Sequence, residues 1–299
     1  MNFKEQLNQS TERVGKVLRK YLPEEKGYAS RLMEAVNYSV TAGGKRLRPI
    51  LMEESFRLFG GQGAVIEPFM AAIEMIHNYS LVHDDLPAMD NDEFRRGRKT
   101  TWNVYGDGMA VLAGDGLLNL AYETAGRAFS IAQTQEELLR TAGAFQILGR
   151  KAGIYGMIGG QAADIEGEIS GQVSREQLLF IQENKTAALI QAAMMAGAVL
   201  AGAGQGDVLS MEKAAYNIGI AFQIQDDILD VTSTVEVLGK PVGSDEKNHK
   251  LTYVSLLGLD ASRKEVARLS GEALQILGSF GRKNEFLEEL VKMLVTREK

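Results

Sequence analysis

Apolar residues recur at helical spacing along nearly the whole chain, while the strict alternation that marks half-buried strands is scarce. The pattern predicts helices over residues 3–21, 28–39, 46–59, 64–85, 108–131, 135–155, 174–203, 209–231, 251–257, 261–278 and 284–297, with no competing strand. Glycine or proline marks the connections: Gly43-Gly44, Gly60-Gly61, Gly204-Gln205-Gly206 and Gly239-Lys240-Pro241-Val242-Gly243. No Pro/Ser-rich linker, low-complexity tail or long charge block interrupts them. The expectation is an all-α fold, one large helical bundle spanning 1–299 as a single domain. The run 187–203 is almost wholly apolar apart from Gln191 and approaches the length of a membrane span. It is dominated by Ala and Gly, and Glu183 and Lys185 stand just before it, so it reads as a closely packed buried helix.

Composition narrows the function. Hydrophobic residues make up 45% of the chain, enough for a sizeable core, and the net charge of −6 gives no general attraction to nucleic acid or an anionic membrane. There is no Cys, which excludes disulfides, thiolate nucleophiles and Cys-based zinc sites, and with three His a His-rich metal site is not expected. The N-terminal segment Met1-Asn2-Phe3-Lys4-Glu5-Gln6 lacks the apolar core of a signal peptide and points to a cytoplasmic protein.

Against that background two acid clusters stand out. Asp84-Asp85-Leu86-Pro87-Ala88-Met89-Asp90 and Asp226-Asp227-Ile228-Leu229-Asp230 begin 142 positions apart, and each follows a strongly apolar stretch. Carboxylates grouped at the mouth of a buried cleft repel one another unless cations lie between them, and a few hard oxygen ligands suit Mg²⁺ holding a phosphorylated ligand. Asp226 and Asp230 are i and i+4 on a helix and look into the same space. Asp84 and Asp90 would stand about 120° apart on an unbroken helix. Pro87 should end that helix and let a loop bring Asp90 back toward Asp84. Asn91 lies between Asp90 and Asp92, and the pattern leaves open which of the two acids faces a metal.

Two basic groups flank the first cluster: Gly43-Gly44-Lys45-Arg46-Leu47-Arg48-Pro49 before it and Arg95-Arg96-Gly97-Arg98-Lys99 after it. Arg forks match phosphate oxygens two at a time and Lys supplies a point charge, so two groups suggest two anionic ligands. Arg46, Arg98 and Lys99 read instead as an ordinary solvated basic face. His77, seven residues before Asp84 on the same helix face, points into the same cleft.

These residues, together with Gly159-Gly160-Gln161 and Asp164, Lys185-Thr186, Phe222-Gln223, and Gly239-Lys240 with Gly243-Ser244-Asp245 and Lys250, resemble the trans-isoprenyl diphosphate synthases, above all the bacterial farnesyl diphosphate synthases. The likeness runs in the same order from about residue 40 to 255. It implies a bundle of the isoprenoid synthase type with a deep central cavity. It implies an enzyme of isoprene biosynthesis that condenses isopentenyl diphosphate with dimethylallyl and geranyl diphosphate to (2E,6E)-farnesyl diphosphate, by ionisation, condensation and proton elimination. Mg²⁺, three ions per active site and replaceable by Mn²⁺, would be held by Asp84, Asp90 and, on the opposite wall, Asp226, with Asp85 and Asp230 either as further ligands or as partners behind them. Arg95, Lys185, Lys240 and Lys250 would bind the allylic diphosphate, and Lys45, Arg48, His77 and Arg96 the diphosphate of isopentenyl diphosphate. Lys185, Thr186, Gln223 and Lys240 would be the catalytic residues, with Thr186, Gln223 and the Lys185 carbonyl as dipoles facing the cation. The family is typically homodimeric, and the Ala/Gly-rich helix over 108–126 offers an interface.

Product length has a physical handle. Tyr79 lies five residues before Asp84, about 7.5 Å along a helix, and its ring beside the small Ser80 could form the floor of the cavity. An aromatic there resembles the farnesyl-producing type, and a geranylgeranyl synthase is the alternative. A terpene cyclase needs one diphosphate site and a different second metal motif, and a non-catalytic partner subunit would be expected to have lost cluster residues. Both fit less well.

Overall fold

The computed structural model describes residues 2–232 and 252–296 and divides into two compact units. Unit 1 comprises Met1–Glu53 and Gln62–Phe145, and unit 2 comprises Glu54–Gly61 and Gln146–Lys299. Among the described residues the structure is all-α apart from one two-stranded hairpin, and no helix is long and apolar enough to cross a membrane.

Unit 1 opens with α1 (Phe3–Tyr21), which starts at a reciprocal cap: the Glu5 N–H donates to the Asn2 side chain and the Asn2 N–H to the Glu5 carboxylate. There follow α2 (Ser30–Thr41), α3 (Leu47–Leu58), whose last turn belongs to unit 2, and α4 (Glu67–Asp84). After the hairpin β1 (Phe94–Arg95) and β2 (Arg98–Lys99) come α5 (Thr101–Tyr105), α6 (Asp107–Gly126), α7 (Ala128–Ile131) and α8 (Gln135–Ala152), which runs on into unit 2. α4 is the centre of this unit. It packs chiefly on α6, and also on α1 and α2. Phe69, Ile73, Met75 and Ile76 are fully buried, each contributing about 1.5–3 kcal/mol of burial. A helix apolar on most sides has no face for solvent, so its C-terminal residue Asp84 starts from deep packing. Two buried polar residues of α4 are paired: Glu74 holds Arg46 at 2.6 Å, and the Asn78 amide donates to the Glu74 carbonyl at 2.7 Å. Arg46 is therefore buried structure and not the solvated cation expected from the sequence.

Unit 2 contains α9 (Met157–Ser170), α10 (Arg175–Ile181), a π-helical turn over Gln182–Ala187, α11 (Ala188–Leu200), α12 (Gln205–Thr232), α13 (Tyr253–Leu257), α14 (Leu259–Ser279) and α15 (Glu285–Thr296). α12 is the axis here, packed on α11, α14 and the π turn. α11 is buried along nearly its whole length, as its small residues predict. Its one polar residue, Gln191, accepts from the Lys151 ammonium, which also pairs with Glu212 at 2.6 Å.

Most predicted helices are present, and four differences have physical causes. α9 was unforeseen because Gly159, Gly160 and Gly167 depress helix propensity. The hairpin strands and α5 are too short to leave a periodic signal. The predicted helix over 108–131 is broken at Arg127, whose N–H turns back to the Thr124 carbonyl.

Candidate active site

In unit 1 the first acid cluster is shaped by backbone. α4 ends at Asp84, and beyond Pro87 the chain curls so that the Asp90 N–H donates to the Asp84 carbonyl at 2.8 Å. Asn91, a residue that tolerates left-handed backbone, takes a φ of 54° to complete the turn. Asp84 and Asp90 are thus drawn together as the proline implied. Asp92 lies 3.5 Å from the Arg95 guanidinium. Asp85 is buried and accepts from Arg95 through Nε at 2.7 Å and Nη2 at 2.6 Å. Burial pushes the Asp85 carboxyl up and the Arg95 charge opposes that rise.

The Arg pair is delivered by the hairpin. Arg96 and Gly97 take φ of 55° and 75°, the signature of a tight turn matched to strand twist. Arg95 is directed to Asp85, while Arg96 donates through Nη1 to the Gly43 carbonyl, in the Gly-Gly turn that leads to Lys45 and Arg48. Lys45 is exposed on that turn. Arg48 is half-buried with its Nε enclosed and without a hydrogen-bond partner. Burial, with repulsion from Arg96, lowers its guanidinium from 12.5 to about 10. His77 is pushed well below 6.5, first by burial and then by the charges of Arg48, Arg96, Arg95 and Arg46. It is therefore neutral at pH 7 and can donate one N–H. Arg98 stacks over the Tyr38 ring at 4.6 Å and, with Lys99, stays on the surface as expected.

Further back along α4, Tyr79 is buried and packs edge-on against His83 with ring centroids 5.8 Å apart. Burial raises its phenol, as do Tyr122 and Asp84 nearby, so it is neutral. Ser80 beside it donates to the His77 carbonyl at 2.9 Å. Tyr122, on α6, meets Phe145 with ring centroids 5.9 Å apart.

In unit 2 the π turn carries Lys185 and Thr186. Lys185 pairs with Asp164 of α9 at 2.5 Å. Thr186 donates its hydroxyl to Gln223 Oε1 at 3.1 Å, Gln223 donates to Asp227 Oδ1 at 3.2 Å, and Asp227 Oδ2 accepts the Tyr253 N–H at 2.9 Å. Asp227 is consequently the anchor of this chain and of the first residue of α13, while Asp226 is half-buried and Asp230 buried on the same helix. Lys240 and Lys250 lie outside the described residues. Among the described residues no three His, Asp or Glu form a preassembled metal cage.

Unit 1 therefore holds Lys45, Arg48, His77, Tyr79, Ser80, Asp84, Asp85, Asp90, Arg95 and Arg96, and unit 2 holds Lys185, Thr186, Gln223, Asp226 and Asp230. Sequence reasoning named Asp164 but gave it no task, and it gave none to Asp227. The i+4 spacing of Gln223 and Asp227 is the signal that could have linked them.

A family model described as polyprenyl synthetase matches residues 29–293. The chain is 42% identical over 264 residues to a farnesyl diphosphate synthase of Geobacillus stearothermophilus, covering 87% of this chain and 86% of the relative. It is 40% identical over 294 residues to a geranylgeranyl diphosphate synthase of Cyanophora paradoxa, covering 97% and 95%. Among solved structures, a geranyltransferase from Helicobacter pylori complexed with magnesium and isoprenyl diphosphate matches with a TM-score of 0.82 at 31% identity, over 99% of this chain and 97% of that one. The chain belongs to the polyprenyl synthetase family. It is a trans-prenyl diphosphate synthase, a prenyltransferase of isoprenoid biosynthesis, in a family that depends on magnesium.

Proposed function

We propose that this prenyltransferase condenses isopentenyl diphosphate with dimethylallyl and then geranyl diphosphate and releases (2E,6E)-farnesyl diphosphate. The observation that carries a two-substrate reading is the enclosed Arg48 Nε beside neutral His77, an anion site whose members are distinct from the acid cluster of the same unit. Lys45, Arg48, His77 and Arg96 bind the diphosphate of isopentenyl diphosphate. Arg95, Lys185, Lys240 and Lys250 bind that of the allylic substrate.

The donor set suits magnesium: Asp84 and Asp90 carry hard carboxylates on stretches of main chain joined by a 2.8 Å bond, and an ion that keeps several waters needs few protein ligands. Asp84, Asp90 and Asp226, with Asp230 as a further ligand and Asp85 as a supporting carboxylate behind them, would hold three Mg²⁺, replaceable by Mn²⁺. Bound there, the ions would neutralise the diphosphate so that it leaves as a stabilised anion. The pairing of Asp85 with Arg95 supports Asp85 in an indirect role, keeping Arg95 aimed.

Heterolysis of the allylic C–O bond leaves a delocalised cation that needs dipoles unable to attack it. Thr186 is arranged for this task, because its proton is committed to Gln223 and its oxygen lone pairs remain for the cation. Asp227 fixes the Gln223 amide in the orientation that accepts that proton. The Lys185 carbonyl adds a second dipole, and the departed diphosphate, held by the basic residues, accepts the final proton. Water, which would quench the cation to an alcohol, must be excluded from this site.

Tyr79 supports the fifteen-carbon product: its buried ring lies about 7.5 Å before Asp84 on α4. The Cyanophora relative's name favours a second reading, a twenty-carbon product. The proposal includes a homodimeric, cytoplasmic enzyme. Incubation with isopentenyl diphosphate, each allylic diphosphate in turn and Mg²⁺, followed by chromatography of the dephosphorylated products, tests it. Farnesol supports the reading, and geranylgeraniol as the main product refutes it.

A further inference from the structure

The helical stretch Arg175–Leu200 is regular except at the π turn Gln182–Ala187. Such turns insert an extra residue into the helix and frequently occur at functional sites. What flanks this one is specific. A Cβ built on Gly160 of α9 would fall against the Lys185 backbone nitrogen, 2.7 Å from the Asn184 carbonyl carbon and 2.8 Å from its Cβ. A Cβ built on Gly219 of α12 would fall against the Ala187 Cβ, 2.6 Å from its Cα. Both contacts involve main chain of the turn, so no rotamer change relieves them. Each glycine also stands one helical turn before a side chain that ties the same segment: Gly160 before Asp164, which holds Lys185, and Gly219 before Gln223, which holds Thr186.

We infer that Gly160 and Gly219 are positioning residues for catalysis: the bare backbone of α9 and α12 clasps the π turn from two sides, and the i+4 partners lock its side chains, so that Thr186 and the Lys185 carbonyl are held toward the reacting carbon. This rests on the role given above to Thr186 and Lys185. An alanine at either glycine displaces the turn, which carries none of the residues assigned to isopentenyl diphosphate. A displaced dipole leaves the allylic cation less stabilised and more open to water. The C–O bond breaks with its electron pair on diphosphate, a water oxygen bonds to the cation, and loss of a proton gives the allylic alcohol in place of the condensed product.

Three variants test this: Gly219→Ala, Gly219→Ala with Ala187→Gly, and Thr186→Ala. Steady-state rates, the allylic alcohol released per turnover and thermal melting are recorded for each. In folded Gly219→Ala, kcat falls by about ten- to a hundredfold, as a displacement near 1 Å would cause, and the alcohol fraction rises. KM for isopentenyl diphosphate stays within about twofold. Ala187→Gly, which removes the Cβ side of the contact and leaves the Cα side, restores part of kcat and lowers the alcohol fraction. An unchanged kcat and alcohol fraction in Gly219→Ala overturns the inference. So does a lower kcat with unaltered alcohol fraction and no rescue, which would mean fewer active molecules only. If Gly219→Ala does not fold, Ala187→Ser presses on the same contact with a side chain that can rotate and carries the same prediction. Thr186→Ala separates the two ideas. If it leaves kcat and alcohol fraction untouched, the role of Thr186 fails, whereas if it alters both and Gly219→Ala alters neither, the positioning role alone fails.

Discussion

Replacing Arg48 by Met should stabilise the ligand-free protein while disabling it. Arg48 carries its charge into a place where burial and Arg96 oppose it, lowering its pKa from 12.5 to about 10, which at about 1.4 kcal/mol per tenfold in proton affinity amounts to about 3 kcal/mol against the charged form. The native pKa lies below the unfolded one, so the unfolded chain holds the proton more tightly. At every pH below about 10 the charge opposes folding, and the opposition fades as pH rises from there to 12.5. Removing the charge therefore returns up to about 3 kcal/mol, reduced by lost contacts of the side chain, and a net gain of about 1–2 kcal/mol is expected. The cost appears on binding. An orphaned Nε that meets a diphosphate oxygen only in the complex loses a charged hydrogen bond worth about 1.5–3 kcal/mol, or roughly ten- to a hundredfold in KM for isopentenyl diphosphate. Ligand-free melting curves and initial rates at saturating allylic diphosphate measure the two halves. A lower melting temperature together with an unchanged KM would show that Arg48 is a packed structural cation and refute the reasoning.

Three further outcomes follow from the same geometry. Tyr79→Ala should shift product to twenty carbons or more and cost about 3 kcal/mol of stability; an unaltered fifteen-carbon product would remove Tyr79 as a floor. His77 is depressed well below 6.5, so between its native value and 6.5 the unfolded chain binds a proton that the native state refuses. Stability then declines as pH is lowered through that window, and His77→Gln should flatten the decline in melting temperature against pH; parallel curves count against a neutral, enclosed imidazole. Asp227→Asn keeps an acceptor for the Tyr253 N–H but turns an amide toward Gln223, forcing that side chain to flip and take Thr186's acceptor away. kcat should fall by about tenfold, the scale of one lost hydrogen bond, with melting little changed, and a normal kcat would break the proposed chain from Asp227 to Thr186.

Much of this was legible in the chain because the signals were strong and local. Pro87 announced the end of α4 and the return of Asp90, and the small residues of 187–203 announced a buried helix. Other features depend on what lies across from a residue. Arg46 reads as one more surface cation until Glu74, 28 positions away and itself inside an apolar run, is placed against it. α9 reads as loop because its glycines weaken a helix, yet Gly160 is required where α9 meets the π turn. The π turn itself leaves no periodic trace, since Glu183, Asn184, Lys185 and Thr186 are as plausible in a loop as in a widened helix.

The left-handed backbone at Arg96 sets a trap for anyone trying to make this enzyme more robust. A φ of 55° suits Gly or Asn better than Arg, so a search for conformational relief would select Arg96→Gly early. Such a swap would relieve about 1–2 kcal/mol of left-handed strain, part of it returned to the freer unfolded chain, and release the Gly43 carbonyl in the same stroke. A sturdier catalyst engineered by that route would arrive with its condensation partner's docking loop untethered. Selection for durability at this position should therefore be run with substrate turnover, never melting alone, as the criterion.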